Sequence, residues 1–150
     1  ESSFNIAMSV ELKTGTFKIE TAGFGDILDI TDQVQKRVSD SNLLNGNATV
    51  FVSGSTAGIT TIEYEPGAID DLKKAIERQA PVDLHYAHDT RWGDGNGFSH
   101  VRAALMGASL TIPFLAGDLQ LGTWQQIILC DFDNKTRTRN VLIQMMGASC

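Results

Sequence analysis

The stretch SLTIPFLAGDLQLGTWQQIILCDFDNKTRTRNVLIQMM, residues 109–146, decides how the rest of the chain is read. Ser109–Phe114 and Asp118–Leu121 flank the pair Ala116-Gly117, the pattern of a β-hairpin. Gly122 to Gln126 leads into an apolar strand over Ile127–Cys130. Asp133-Asn134-Lys135 turns the chain, and Thr136–Met146 returns as the last strand. On that strand Arg137 and Arg139 share the parity of Val141, Ile143 and Met145, because alternate side chains of a strand point to one face. About four antiparallel strands in succession point to an α+β plan with a twisted sheet or sandwich, not to alternating βαβ units.

Upstream, residues 9–20 alternate loosely and predict a strand, or a hairpin with a turn near Thr14-Gly15. Ile27, Leu28 and Ile30 read as a short buried strand. Thr31 reads as the N-cap of a helix to about Ser39, with Asp32 in its first turn and Ile30, Val34 and Val38 on its apolar face. Ser41–Asn47 reads as a polar loop with Gly46 and Asn47 as turn residues. Ala48–Val52 is a second strand. It runs into Ser53-Gly54-Ser55-Thr56-Ala57-Gly58, whose hydroxyls and backbone N–H groups suit an anion, although no Gly-Lys-Ser/Thr follows as in a P-loop. Ile59–Glu63 resumes a strand. Pro66-Gly67 opens a second helix, apolar at Ile69, Leu72, Ala75 and Ile76, which ends at Ala80-Pro81. Val101–Met106 predicts one or two helical turns ending at Gly107. The expectation is a single α+β domain over 1–150, with an antiparallel β-sandwich-like core, two main helices, and residues 1–8 peripheral to it.

Apolar residues make up 42% and charged residues 20% of the 150, the balance of a globular chain. A net charge of −6 is a poor match to nucleic acid, and no apolar run approaches the ~20 residues of a membrane span. The first residues lack the basic and apolar regions of a secretory signal, and Met8 reads as an alternative start. Two cysteines, Cys130 and Cys150, make no disulfide framework and read as structural, which points to a reducing cytoplasm.

The densest polar cluster is HYAHDTRWGDGNGFSHVR, residues 85–102, read as a glycine-rich loop that holds all three histidines. His88 and His100, with a carboxylate or water, form a donor set for Zn²⁺ or a similar ion; the plainer reading is a pair of hydrogen-bonded loop histidines. His85 differs from His88 in parity and reads as exposed or strand-embedded. Glu63, Asp89 and Asp94 suit ligands, general bases or orienters of the imidazoles, or simply turns and surface. Asn96 suits a turn, Trp92 a stacking platform or a loop anchor, and Arg102, Arg137 and Arg139 either phosphate contacts or surface charge. No Ser-His-Asp order is visible.

Several segments together resemble the YjbQ-like family. They are Asp29-Ile30-Thr31, FVSGSTAGIT at 51–60, Glu63, Asp71-Leu72, YAHD at 86–89, DGNGFSH at 94–100, RAALMGASLTIP at 102–113, GDLQLGTWQQIIL at 117–129 and RTRNV at 137–141. The resemblance implies a compact α+β domain that assembles as a homotrimer, and a secondary thiamine-phosphate synthase activity. That reaction joins a pyrimidine pyrophosphate to a thiazole phosphate. It further implies His88, His100 and Glu63 as catalytic residues, Ser55, Thr56, Asn96, Arg137 and Arg139 as substrate contacts, and a divalent metal, zinc or magnesium, on His88 and His100. The partner is then a phosphorylated small molecule or other anion. The alternative is a non-catalytic protein that binds a metal or a phosphorylated metabolite. The chain departs from the family pattern at Gly54-Ser55-Thr56, where many bacterial members have His-Thr-Thr, and at Phe98, where many have a histidine. A three-histidine metal site on those positions is therefore not available.

Overall fold

In the computed structural model, which describes residues 9–149, period-two burial sorts the strands into two antiparallel sheets. The chain runs β1 (Glu11–Thr21), β2 (Asp26–Asp29), α1 (Thr31–Asp40), β3 (Asn45–Ser53), β4 (Ala57–Ile62), α2 (Pro66–Gln79), α3 (Ala87–Trp92), α4 (Gly97–Met106), β5 (Ser109–Leu115), β6 (Asp118–Leu119), β7 (Gln126–Asp131) and β8 (Arg137–Ala148). The larger sheet has the order β1-β8-β3-β5-β6 and the smaller β2-β7-β4.

Val50, Val52, Ile112, Phe114, Val141 and Ile143 from the larger sheet meet Ile59, Ile127 and Leu129 from the smaller one, and α1 adds Val34 and Val38. The other face of the smaller sheet presents Ile128 and Cys130 to Ala103 of α4, with Ile69, Leu72 and Ile76 of α2 partly covered beside them. The layers are thus large sheet, small sheet and helices. β7 lies between the other two and is covered on both faces, so Ile127–Asp133 are all buried. That double burial is why its sequence is an unbroken apolar run rather than an alternating one. The expected α+β sandwich is observed. So is the Ala116-Gly117 hairpin turn, with both residues left-handed at φ 51° and 81°.

Four local expectations are corrected. Thr14-Gly15 makes no turn: β1 is continuous, with Gly15 opposite Ile143, and a Cβ on Gly15 would stand 3.0 Å from Cδ of Arg37 on α1. Gly46 and Asn47 are not loop residues but lie in β3, opposite Gly147 and Met146. There glycine serves close approach, because a Cβ on Gly46 would stand 2.2 Å from the Met146 carbonyl oxygen. Thr31 is the first residue of α1 rather than its cap. Asp29 accepts from the Thr31 N–H at 3.0 Å and from its hydroxyl at 2.6 Å, and the hydroxyl in turn accepts from the Ile127 N–H at 2.9 Å. The 118–121 strand shortens to Asp118–Leu119.

Cys130 is fully buried, and burial pushes its thiol up to about 12, which keeps it protonated at neutral pH and leaves it a packing role. Cys150 and residues 1–8 lie outside the described residues. Among the described residues no helix is long and apolar enough to cross a membrane.

Gly46→Ala is expected to destabilise the fold by about 1–3 kcal/mol, the usual cost of overpacking. Urea unfolding reads this as a lowered midpoint; an unchanged midpoint would contradict the close approach of β3 and β8.

Candidate functional site

The site begins with a problem of charge. Arg139 shares the inward face of β8 with Val141 and Ile143, and Asp131 ends a strand buried on both faces. Either charge left alone there would cost several kcal/mol. They pair as a fork: Arg139 Nε donates to Asp131 Oδ2 at 2.7 Å and Nη2 to Oδ1 at 2.8 Å. Thr21 at the end of β1 donates to Asp131 at 2.5 Å. Asp133, also fully buried, accepts from Arg137 Nε at 2.9 Å, the Thr56 hydroxyl at 3.0 Å and the Asn96 amide at 3.3 Å. The Thr56 hydroxyl itself accepts from Arg139 at 2.7 Å.

Burial opposes the ionisation of both carboxyls, yet the hydrogen bonds prevail. Those from Arg139, Thr21 and the Asp133 N–H hold Asp131 below its ordinary value. Those from the Asn134 N–H, Asn96, Arg137 and Thr56 hold Asp133 at about 2.

Against this floor stands a corner of two helices where a loop was expected. Only Gly93 (φ 73°) and Gly95 (φ 68°) of the three glycines are left-handed. Gly93 caps the end of α3, and Gly97 begins α4, where a Cβ would collide with Tyr86. Asp89 of α3 accepts from the Gly97 N–H at 2.8 Å, tying the two helices together. His88 and His100 thereby come into contact, ring centroids 4.4 Å apart and tilted by 42°. His88 Nδ1 is shielded and makes no hydrogen bond; Asp94 and Asp89 oxygens stand 3.3 and 3.6 Å away. Asn96 Oδ1 is likewise buried without a partner.

Floor and corner enclose an open cleft of about 380 Å³, within the range of small-molecule sites. Of the expected residues, Ser55, Thr56, His88, Asn96, His100, Arg137 and Arg139 line it, together with Asp94 and Trp92. Gly54 (φ 132°) lines it too, and a Cβ there would stand 2.7 Å from Arg139 Nη1. Glu63 does not join them. It follows the last residue of β4, whose first residue adjoins Thr56, so about 20 Å of extended chain separates it from the cleft. Phe98 is buried in α4 with the Arg102 guanidinium 5.2 Å over its ring. Arg102 itself binds the Ala80 carbonyl and Glu77, far from any phosphate role. His85 is exposed beside Thr90.

Sequence reasoning missed Asp131 and the buried role of Asp133, read only as a turn residue. The signal is present in Asp131-Phe132-Asp133-Asn134-Lys135-Thr136-Arg137-Thr138-Arg139. Its two carboxylates and two guanidinium groups mirror one another about Lys135.

The chain matches the model of a family described as UPF0047 protein YjbQ-like over residues 15–148. It is 33% identical to a UPF0047 protein of Methanothermobacter thermautotrophicus, covering 92% of this chain and 94% of that one. It is 35% identical to the UPF0047 protein YugU of Bacillus subtilis, covering 88% and 98%. A solved YbjQ-like protein of unknown function from Sulfolobus solfataricus P2 superposes with a TM-score of 0.88 at 30% identity, covering 93% of this chain and 99% of that chain.

The buried carboxylates set an acid limit. A carboxyl depressed in the folded state stabilises it above the unfolded value near 4, and the contribution is lost as pH falls through the folded value. For Asp133 the window runs from about pH 4 to about pH 2 and is worth about 2 kcal/mol. Thermal unfolding followed against pH should show a midpoint that drops within this window, with a shallower drop in Asp133→Asn. Asp131→Ala, which strands Arg139, is expected to lose about 3–5 kcal/mol.

Proposed function

The chain belongs to the UPF0047 YjbQ-like family, and on that premise we propose that its cleft binds and transforms a phosphorylated small molecule. The observation that carries this reading is the contact of two imidazoles at a cleft that also offers Ser55 and the part-exposed guanidinium of Arg137. Imidazoles supply general acid–base chemistry near neutral pH, and the hydroxyl and guanidinium suit phosphoryl oxygens.

The specific reaction proposed is thiamine-phosphate formation. The ring nitrogen of a thiazole phosphate forms a C–N bond to the methylene carbon of a pyrimidine pyrophosphate. The C–O bond breaks, and pyrophosphate leaves with the electron pair. His88 or His100 protonates the departing oxygen, Arg137, Ser55 and Thr56 orient phosphate, and a divalent cation such as zinc or magnesium offsets the charge of pyrophosphate. Arg139 acts from below, as a structural partner of Asp131 rather than a free phosphate ligand. A cytoplasmic site of action suits the free buried thiol of Cys130 and a metabolite substrate.

A homotrimer accompanies this reading. The outward side chains of β3, β5 and β8 include Thr49, Phe51, Thr111, Leu142, Gln144 and Met146, and none on these strands is charged. In a chain that is 20% charged with a net charge of −6, this neutral face is where copies approach without repulsion. Three such faces turned to a common axis would bury it.

Purified protein given both substrates and Mg²⁺ is expected to release thiamine phosphate, measured by chromatography. His100→Ala should lower the rate by about 100-fold or more. Stabilisation by the substrates without any product would favour the binding protein over the enzyme. Light scattering should give the mass of three chains, and Gln144→Arg, which puts a charge in the middle of the neutral face, should shift it toward one.

A further inference from the structure

Once the ion pairs are assigned, the charge left in the cleft is negative. Arg139 is matched by Asp131 and Arg137 by Asp133. Asp89 and Asp94 are not matched: among the described residues neither forms an ion pair with a lysine or arginine, and both face the same imidazole nitrogen, Nδ1 of His88. One oxygen from each carboxylate and that nitrogen lie within 4.8 Å of one another. The in-plane point equidistant from three such donors stands about 2.0–2.4 Å from each, the range of metal–nitrogen and metal–oxygen bonds.

A second, independent feature points the same way. Asn96, only 6% exposed, lines the cleft with its Oδ1 unpartnered. Its amide cannot be turned to relieve this, because Nδ2 is the donor to Asp133, and the exchanged oxygen would face a carboxylate. A buried acceptor without a donor is costly, and a cation or its bound water satisfies it. His88 Nδ1 is likewise shielded from solvent and without a hydrogen-bond partner.

We propose that His88 Nδ1, Asp89 and Asp94 form a site for a divalent first-row cation of the Mn²⁺ or Zn²⁺ kind, with Asn96 Oδ1 as an outer acceptor and His100 outside the ligand set. One imidazole with two carboxylates suits these ions better than the all-oxygen cations. The inference deepens the reading of the same cleft. The cation gives an otherwise anionic pocket its affinity for phosphoryl oxygens, and His100 is left free for proton transfer.

The test uses the whole chain and Mn²⁺ alone, with uptake followed by loss of the free-ion paramagnetic resonance signal. Wild type is expected to take up one Mn²⁺ per chain. Asp94→Asn and His88→Ala should each weaken uptake by about tenfold or more, and His100→Ala should leave it within about twofold. Asp94 is half exposed and, among the described residues, its carboxylate has no hydrogen-bond donor, so Asp94→Asn should melt like wild type, which separates lost ligation from lost folding. Asp89→Asn is a poorer probe because Asp89 also holds the Gly97 N–H. No uptake by wild type, or full uptake by Asp94→Asn, would overturn the site. A loss in His100→Ala equal to that in Asp94→Asn would move the ligation to the imidazole pair and also overturn it. No substrate is present, so the result stands apart from the turnover assay: uptake without product sinks the reaction alone, and product without uptake sinks the cation site alone.

Discussion

The fork between Arg139 and Asp131 is the interaction on which the rest of the molecule depends. It joins two strands that are consecutive in sequence but belong to different sheets, β7 in the small one and β8 in the large one. Two of the other crossings between sheets, β1 to β2 and β3 to β4, gather on it. The chain leaving β1 brings Thr21 to Asp131, and the next turn donates the Phe24 and Gly25 N–H groups to the Asp133 and Asp131 carbonyls. The chain leaving β3 brings Thr56 between Asp133 and Arg139, while the Phe132 N–H donates to the Thr56 carbonyl. Three connections that would otherwise end in unpaired backbone and hydroxyl groups are satisfied by one buried set of charges. Replacing either member would undo all three together, because a buried charge without its partner is worse than no charge at all.

A rigid end of a sandwich is also a platform. The network's upper surface is the floor of the cleft, and its lining side chains are held by partners below them: Arg137 by Asp133, Thr56 by both Asp133 and Arg139, Asn96 by Asp133. The imidazoles come from the other side, on helices fixed to each other by Asp89 and to the turn between β7 and β8 through the Asn134 amide, which donates to the Asp94 carbonyl at 2.8 Å. Functional groups placed in this way lose little freedom when a ligand arrives.

How much of this was legible in the sequence varied with the kind of signal. Parity on the last strand grouped Arg139 with Val141 and Ile143, whose inward face it does share, although the residue itself reads as a phosphate contact or surface charge; the small-residue run at Ser53–Gly58 supplies part of one wall of the cleft. Asp131 was hidden because a strand buried on both faces shows no alternation, so nothing marked where it ended and whether its final carboxylate faced in or out. Residues 85–102 drew attention by composition, but their helices have 6 and 10 residues and were masked by glycines that serve a cap, a turn and a close approach. Gly15 and Gly46 misled in the same way, each marking tight packing where a turn was inferred. Glu63 was grouped with the imidazoles by residue type as well as by resemblance, and no local pattern could have told that β4 would take it to the opposite end.

The departures at Gly54 and Phe98 also gain a physical meaning. A side chain at position 54 would press on Arg139 Nη1, and the side chain at position 98 points into the core beneath Arg102. On this backbone neither position can offer a third imidazole to the cleft without moving a buried arginine. The donors that remain beside His88 are carboxylates, which changes the character of the pocket from nitrogen-rich to oxygen-rich. It also changes its charge. With both guanidinium groups neutralised from below, a bare phosphate meets mainly dipoles and the field of Asp89 and Asp94, which repels it. A phosphoryl group that arrives with a divalent cation meets the opposite balance. On the proposed function, the buried pairs that make the fold possible would therefore be what makes the cleft select for a chelated anion over a free one.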